Sequence, residues 1–424
     1  MGILPVSDRT LKMRIGKSTR AFRSRNYRLF FTGQSITLIG NWMQQLALGW
    51  LLLRLGGSAT DLGLLAALTQ MPTIFLGPVA GVVADRYEKR SLLRYIQFAA
   101  SLHAFVLFGL TYTEVITLWM LLGLAFFMGL VNAFEMTTRQ SFVVEMVDDR
   151  RDLPNAIALN SLMFNSARAI GPALGGQLVY FFGEALCFLL NAIGYGASNF
   201  ALRSMKLPSF QKVDSVQRNI LQEFNAGFRY IKSTPVLTYS LLMLTSVSMF
   251  GAQQLVILPL LVRDFLQGDS DILGLMMMSF GLGAVIAAIT ITVRSKIAST
   301  EKIIYRGAFI VGISQILLVL YPNVLWIGIL NALTGYGAIA AIVSTNTVLQ
   351  LIAAPAMRGR VVSFYSLCLI GLGPCGGFVI GLFIDWYGVP ILLPILGLCC
   401  IAASLIYRRY AASVISEALH KINR

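Results

Sequence analysis

Charge is scarce in this sequence of 424 residues: Asp, Glu, Lys and Arg together supply 12% of it, against roughly 25% in ordinary globular chains. Hydrophobic residues supply 56%. Such a chain cannot cover its apolar surface with polar groups in water, which excludes a soluble enzyme and calls for lipid as the solvent. Histidine is nearly missing, with His103 and His420 alone. The five cysteines, Cys187, Cys368, Cys375, Cys399 and Cys400, lie in apolar stretches without C-x-x-C spacing. No disulfide framework, metal site or cofactor is therefore expected. Acids are outnumbered, 19 against 34 basic residues. In a soluble protein that excess points to nucleic acid; here the placement of the charges explains it better, and no nucleic-acid partner is expected.

What the chain has instead is apolar runs of about 20 residues, the length that crosses a bilayer. They predict an all-α membrane protein with twelve transmembrane helices, near 29–53, 62–84, 92–112, 115–137, 155–180, 185–203, 236–261, 272–293, 303–321, 324–347, 361–384 and 389–407. The links between them leave no room for a separate soluble domain. The first run is too long for a signal-peptide core, so no cleaved signal is expected. Basic residues gather in the segment before span one, in the links after spans two, four, six, eight and ten, and in the tail, among them Arg28, Lys89, Arg151, Lys212, Lys296, Arg358 and Lys421. Only Arg54 and Arg263 fall in the opposite links. Positive residues stay in the cytoplasm, so both termini are predicted to be cytoplasmic in a bacterial inner membrane. An even number of spans independently requires both ends on one side.

The two halves echo each other at a nearly constant offset. Gln44-Gln45-Leu46 returns as Gln253-Gln254-Leu255, and Leu118-Trp119 as Leu325-Trp326. Asp61-Leu62-Gly63-Leu64 is echoed by Ile272-Leu273-Gly274-Leu275, and Gly171-Pro172-Ala173-Leu174-Gly175-Gly176 by Gly373-Pro374-Cys375-Gly376-Gly377. Four matches in order point to a duplicated six-helix unit, a parallel repeat of the kind that holds its substrate site where the halves meet. The predicted division is a basic segment 1–28, a six-helix half 29–204, a linker 205–234, a second half 235–407 and a tail 408–424. Ile220, Phe224, Phe228 and Ile231 recur at helical spacing in the linker, which predicts an amphipathic surface helix.

Charged and amide residues inside the spans are the candidate functional groups. Arg168 is the only arginine deep in a predicted span, where a charge costs roughly 2.5–3.5 kcal/mol or more, so it must face a cavity or a partner. Glu135 lies one helical turn from Arg139. One reading is a self-neutralising structural network of Glu135, Arg139 and Arg168. The other makes Glu135, with Arg139, a proton-coupling site and Arg168 a dock for an anionic substrate. Gln34, Asn41 and Gln45 share one face of span one, with Gln253 and Gln254 as counterparts in span seven. They predict either a polar cavity that binds substrate or hydrogen bonds between helices. Gly171, Pro172, Gly175 and Gly176 allow span five to bend and to approach a neighbour closely. His103 is expected to be a packed polar residue.

The link after span two, Gly81-Val82-Val83-Ala84-Asp85-Arg86-Tyr87-Glu88-Lys89-Arg90, is similar to the first cytoplasmic-loop motif of the major facilitator superfamily, G-x-x-x-D-R-x-G-R-R/K, with Glu88 where glycine is usual. Resemblance covers essentially the whole chain. Leu153-Pro154-Asn155 through Ser161, with Asn165, Ala167, Arg168 and Gly171-Pro172, resembles the branch of bacterial exporters related to enterobactin export and macrolide efflux, as does Asn26-Tyr27-Arg28-Leu29-Phe30 with Gln34 and Trp42. Gly-Pro-x-x-Gly-Gly in span five looks like the antiporter motif of exporting members. The resemblance implies the major facilitator fold and secondary active export of a small molecule, such as a siderophore or amphiphilic drug, by alternating access coupled to protons. A lysophospholipid transporter of the same fold is the alternative. It also implies that Asp85, within Gly81, Asp85, Arg86 and Arg90, latches onto the opposite half near the N-terminus of span eleven, where a carboxylate gains about 0.3–1 kcal/mol. A monomer embedded in membrane lipid is expected.

Overall fold

Inside lipid no water can satisfy the backbone, so each segment must bond its own peptide groups. The computed structural model, which describes residues 20–142, 146, 152–205, 220–293, 300–410 and 414, accordingly has a helix along each predicted span. The first half contains α1 (Arg25–Arg54), α2 (Ala59–Arg86), α3 (Lys89–Tyr112), α4 (Leu118–Phe142), α5 (Leu153–Phe182) and α6 (Glu184–Arg203). A linker helix, Ile220–Ser233, follows. The second half contains α7 (Pro235–Phe265), α8 (Ser270–Val293), α9 (Thr300–Leu318), α10 (Val324–Ile352), α11 (Arg358–Tyr387) and α12 (Val389–Tyr410). Most helices run a few residues beyond the hydrophobic runs, because a helix need not end where the hydrocarbon does. Much of the basic N-terminal segment, the linker before the surface helix, Arg150, Arg151, Lys296 and the end of the tail lie outside the described residues.

Local chemistry sets the helix ends. At the start of α2, Ser58 Oγ accepts from the Asp61 backbone and Asp61 Oδ2 accepts from the Ser58 backbone, a reciprocal capping box. Asn323 Oδ1 accepts from the Leu325 and Trp326 backbone at the head of α10. Gly183 and Gly388, with φ of 80° and 77°, turn the chain from α5 into α6 and from α11 into α12. Their equivalent places in the two halves, 205 positions apart (388 − 183), extend the repeat into backbone conformation. The packing repeats as well. Helix α2 lies on α4 and α3 on α6, as α8 lies on α10 and α9 on α12.

Two seams join the halves, α5 against α8 and α2 against α11. Glycine makes both possible. A Cβ on Gly176 would lie 2.5 Å from the Ser270 carbonyl oxygen, one on Gly274 2.6 Å from that of Pro172, and one on Gly63 2.6 Å from that of Gly377. Twelve spans return the chain to its starting side, so α1 begins and α12 ends at one face, the terminal face. Toward the opposite face a single apolar core spans both halves, from Leu46–Leu53 and Leu62 to Val256–Val262, Leu273 and Ile384. Toward the terminal face it divides in two. Tyr27, Phe30, Leu93, Phe142 and Leu202 form a cluster within the first half, and Leu237, Ile304, Leu349, Val361 and Tyr407 form one within the second.

The repeat is imperfect where it matters. Helix α1 is continuous, whereas α7 carries π-turns at Val247–Gly251 and Leu261–Phe265 and breaks at Ala252 and Gln253. Helix α11 has a π-segment at Leu367–Leu372, just before Pro374. Such irregular backbone survives in a membrane only if something bonds the freed groups. Side chains do so here. Gln253 Nε2 donates to the Ser248 and Gly373 carbonyls at 2.6 and 2.7 Å, Gln315 Nε2 to that of Phe250 at 2.8 Å, and Ser248 Oγ to that of Leu369 at 3.1 Å.

Candidate functional site

Ala169 of α5 meets Gly281 of α8, and Ile74 of α2 meets Gly371 of α11. The halves touch from those levels toward the opposite face and part toward the terminal face, where each keeps its own core. Arg168 precedes the Ala169 contact by one residue, at the middle of α5, and so stands at the terminal-face edge of the α5–α8 seam. Its guanidinium carbon lies 5.3 Å from the ring centroid of Trp42 and 5.2 Å from that of Phe164. It makes no ion pair or hydrogen bond among the described residues, and its Nε is shielded from solvent without an acceptor. Trp42 is held in place because α1 and α5 pack through glycine: a Cβ on Gly171 would fall 2.5 Å from the Trp42 Cβ, and one on Gly175 3.0 Å from the Met43 Cα.

The three-residue charge network does not form. Glu135 is buried on α4 and faces Arg139, with Oε1 4.0 Å from Nε, while Arg168 stands apart from both. Tyr195 of α6, fully buried, feels the charge of both members of that pair. His103 packs as expected, its ring stacked on Phe127 with 6.0 Å between centroids.

The amides divide by surroundings. Asn41 and Gln44 both accept from Asn191 Nδ2 of α6, at 3.2 and 2.8 Å, so Asn41 belongs to the α1–α6 seam. Gln34 is buried beside it, 1% exposed. Gln253 is spent on the break in α7. Gln45, one turn along α1 from Trp42, and Gln254 are partly buried, and each carries a side-chain oxygen without a donor. Of the amides singled out from sequence, these two and Gln34, whose Nε2 is likewise buried without an acceptor, keep an unpaired polar atom.

The residues expected to gate lie toward the terminal face and along the seams. At the terminal face Asp85 and Arg86 are exposed, and Asp85 has no partner among the described residues. The first turns of α11 pack instead on α7, α10 and the linker helix, whose Phe224 stacks on Phe364 at 4.8 Å. The expected contact between Asp85 and the start of α11 is not made in this structure. Arg90 donates to the Arg203 carbonyl at 2.9 Å, tying α3 to α6, and Gly81 packs near Thr137 of α4. Glu88 takes an ordinary backbone conformation, φ −59° and ψ 113°, and its carboxylate accepts from Ser91 Oγ, so the turn has no need of glycine.

At the opposite face the structure shows a contact that sequence reasoning missed. Asp385, at the end of α11, accepts hydrogen bonds from the backbone N–H groups of Ala59 and Thr60, each at 2.9 Å, and a further one from Thr60 Oγ1. The carboxylate of one half thus caps the helix N-terminus of the other, where unpaired N–H groups and the helix dipole favour negative charge. Its one sequence signal was an acid at the end of an apolar span whose antiparallel neighbour starts there. The ion pair of Arg54 with Glu184, 3.0 Å, closes the same face within the first half.

Residues 17–423 match the family described as transmembrane secretion effector. The chain is 25% identical over 388 residues to the staphyloferrin A transporter of Staphylococcus aureus (strain NCTC 8325 / PS 47), covering 89% of this chain and 94% of that one. It is 26% identical to the multidrug efflux pump Tap of Mycolicibacterium fortuitum, over 82% of this chain and 87% of the pump. It is 21% identical to macrolide efflux protein A of Streptococcus pyogenes, over 70% and 75%. Among solved structures, the nucleoside transporter NupG superposes with a TM-score of 0.69 at 12% identity, covering 91% of this chain and 99% of that one. A transporter of the POT family gives 0.71 at 13%, over 92% and 96%. The chain belongs to the transmembrane secretion effector family, membrane transporters of the major facilitator superfamily.

Proposed function

We propose that this protein is a secondary active exporter that moves a small molecule, a siderophore or an amphiphilic drug-like compound, out across the bacterial inner membrane. The observation that carries the reading is the one-sided core: one apolar cluster spans both halves toward one face and divides toward the other. Rocking one half against the other converts this arrangement into its mirror state. Glycine seams provide the pivot, and a carboxylate at a helix N-terminus biases each end state, Asp385 in this one and Asp85 in the other. The terminal face, bearing most basic residues, is cytoplasmic, so the cleft opens to the cytoplasm, where cargo for export is loaded. The names of the relatives, a siderophore transporter and drug or macrolide efflux proteins, support the direction and the size of the cargo.

Inward proton flow drives the cycle through Glu135. Its carboxylate sits 4.0 Å from Arg139, and protonation removes the charge that holds the arginine. The test is transport in liposomes loaded with a pH dye, with candidate siderophores, dyes and lysolipids as cargo. Cargo-dependent proton movement abolished by Glu135→Gln supports coupled antiport at this site. Transport of a siderophore or drug without a pH signal, unchanged by Glu135→Gln, removes the proton assignment. Transport of lysolipid alone replaces the exporter of soluble cargo by the lipid-handling alternative.

A further inference from the structure

We infer that the cargo is an organic anion bearing a carboxylate, held edge-on by the Arg168 guanidinium between the rings of Trp42 and Phe164. This assignment rests on the exporter reading above and names its substrate class. The guanidinium stands midway along a membrane-spanning helix, yet no acid among the described residues neutralises it: the intramembrane carboxylate Glu135 is turned to Arg139. A structural arginine at such a depth would be paired, because an uncompensated charge in a low-dielectric surrounding is costly. An arginine that must release its partner in every cycle is paired only while the partner is bound.

The rings decide the direction of approach. Trp42 and Phe164 lie at 5.3 and 5.2 Å from the guanidinium carbon, and their own planes meet at 72°. Aromatic rings attract the charge of the cation but accept no in-plane hydrogen bond, so its N–H groups remain for a ligand. A carboxylate matches that fork with two parallel hydrogen bonds, whereas a neutral ester offers a single weak acceptor and no charge. The flanking rings supply an apolar wall for the body of an amphiphilic acid. One turn along α1 from Trp42, the buried amide oxygen of Gln45 has no donor in this conformation.

The Arg168 site sits where alternating access needs it, one residue from the Ala169–Gly281 contact that closes the cleft. A ligand there touches α1 and α5 at the level where α5 meets α8.

The experiment is binding of 1-pyrenebutyric acid and of its methyl ester to the purified full-length protein, read by energy transfer from tryptophan to pyrene. The native protein is expected to prefer the acid by about tenfold or more. Arg168→Gln should erase that preference while ester binding persists. Arg168→Lys keeps the charge but loses the planar fork, so it should show an intermediate preference. Trp42→Leu should lower the transfer at saturation. Thermal unfolding of each variant separates misfolding from lost recognition. Equal affinity of the native protein for acid and ester overturns the inference, as does an acid preference that survives Arg168→Gln. Displacement of the acid by lysophosphatidic acid at far lower concentration than by a fatty acid of the same chain length overturns the carboxylate assignment in favour of a lipid phosphate. Binding is measured without a membrane or gradient, so failure of the liposome transport assay leaves this result standing, and the converse also holds.

Discussion

Removing the Asp385 carboxylate should open the face that this conformation keeps closed. Asp385→Ala deletes the acceptor for the backbone N–H groups of Ala59 and Thr60 and for Thr60 Oγ1, all across the boundary between halves. Helix α2 keeps its own Ser58–Asp61 capping box, so the helix survives and the loss falls on the contact itself. Loss of a carboxylate cap costs about 0.5–2 kcal/mol, and Asp385 is solvent-exposed, which favours a value near 1 kcal/mol. That corresponds to about a fivefold change in the ratio of the two end states. The assay is the distance distribution between spin labels at Val115 and Tyr321, exposed positions in the opposite-face loops of the two halves, in a cysteine-free protein reconstituted in nanodiscs. The longer-distance population should rise about fivefold in Asp385→Ala and less in Asp385→Asn, which retains one neutral acceptor. Asp85→Asn should move the ratio the other way, since Asp85 has no partner among the described residues here and stabilises only the mirror state. Equal distributions in native protein and Asp385→Ala would refute the latch, because the deleted contacts would then carry no preference between states.

Other perturbations test the seams and the irregular backbone. Gly176→Val places a branched side chain where a Cβ already lies 2.5 Å from the Ser270 carbonyl oxygen; the same spin-label pair should report loss of the closed state, whereas Gly196→Val, where a Cβ meets nothing within 4 Å, should leave it unchanged. Gln253→Leu strips the donors from two buried carbonyls and should lower stability by about 2–6 kcal/mol, at 1–3 kcal/mol for each unpaired group, measured by thermal unfolding in detergent. Gln254→Leu, whose side-chain oxygen has no donor in this conformation, should leave the unfolding temperature within a degree or two of native.

Hydrophobic runs determined the number of spans and short matches at a nearly fixed offset their parallel repeat, while the family was legible as a resemblance in motifs such as Gly81 to Arg90, because each is a property of residues near one another in sequence or at a fixed offset. Gly171, Pro172, Gly175 and Gly176 announced a close helix contact, since small residues have few other uses in such a run. Their partners, Trp42, Met43 and Gly274, were decided only by the fold. Side-chain roles divided in the same way. The sequence could say that an amide in hydrocarbon needs a hydrogen bond, but not that Asn191 supplies it to Asn41 or that Gln253 repairs the broken backbone of α7. Glu135 and Arg139 met because one helix turn brings them together, whereas Arg168 stayed unpaired because α5 turns it toward Trp42 on α1. Asp385 reads in sequence as one more loop acid; it becomes a latch only because the antiparallel packing of α2 and α11 sets a carboxylate against a helix N-terminus 325 positions away.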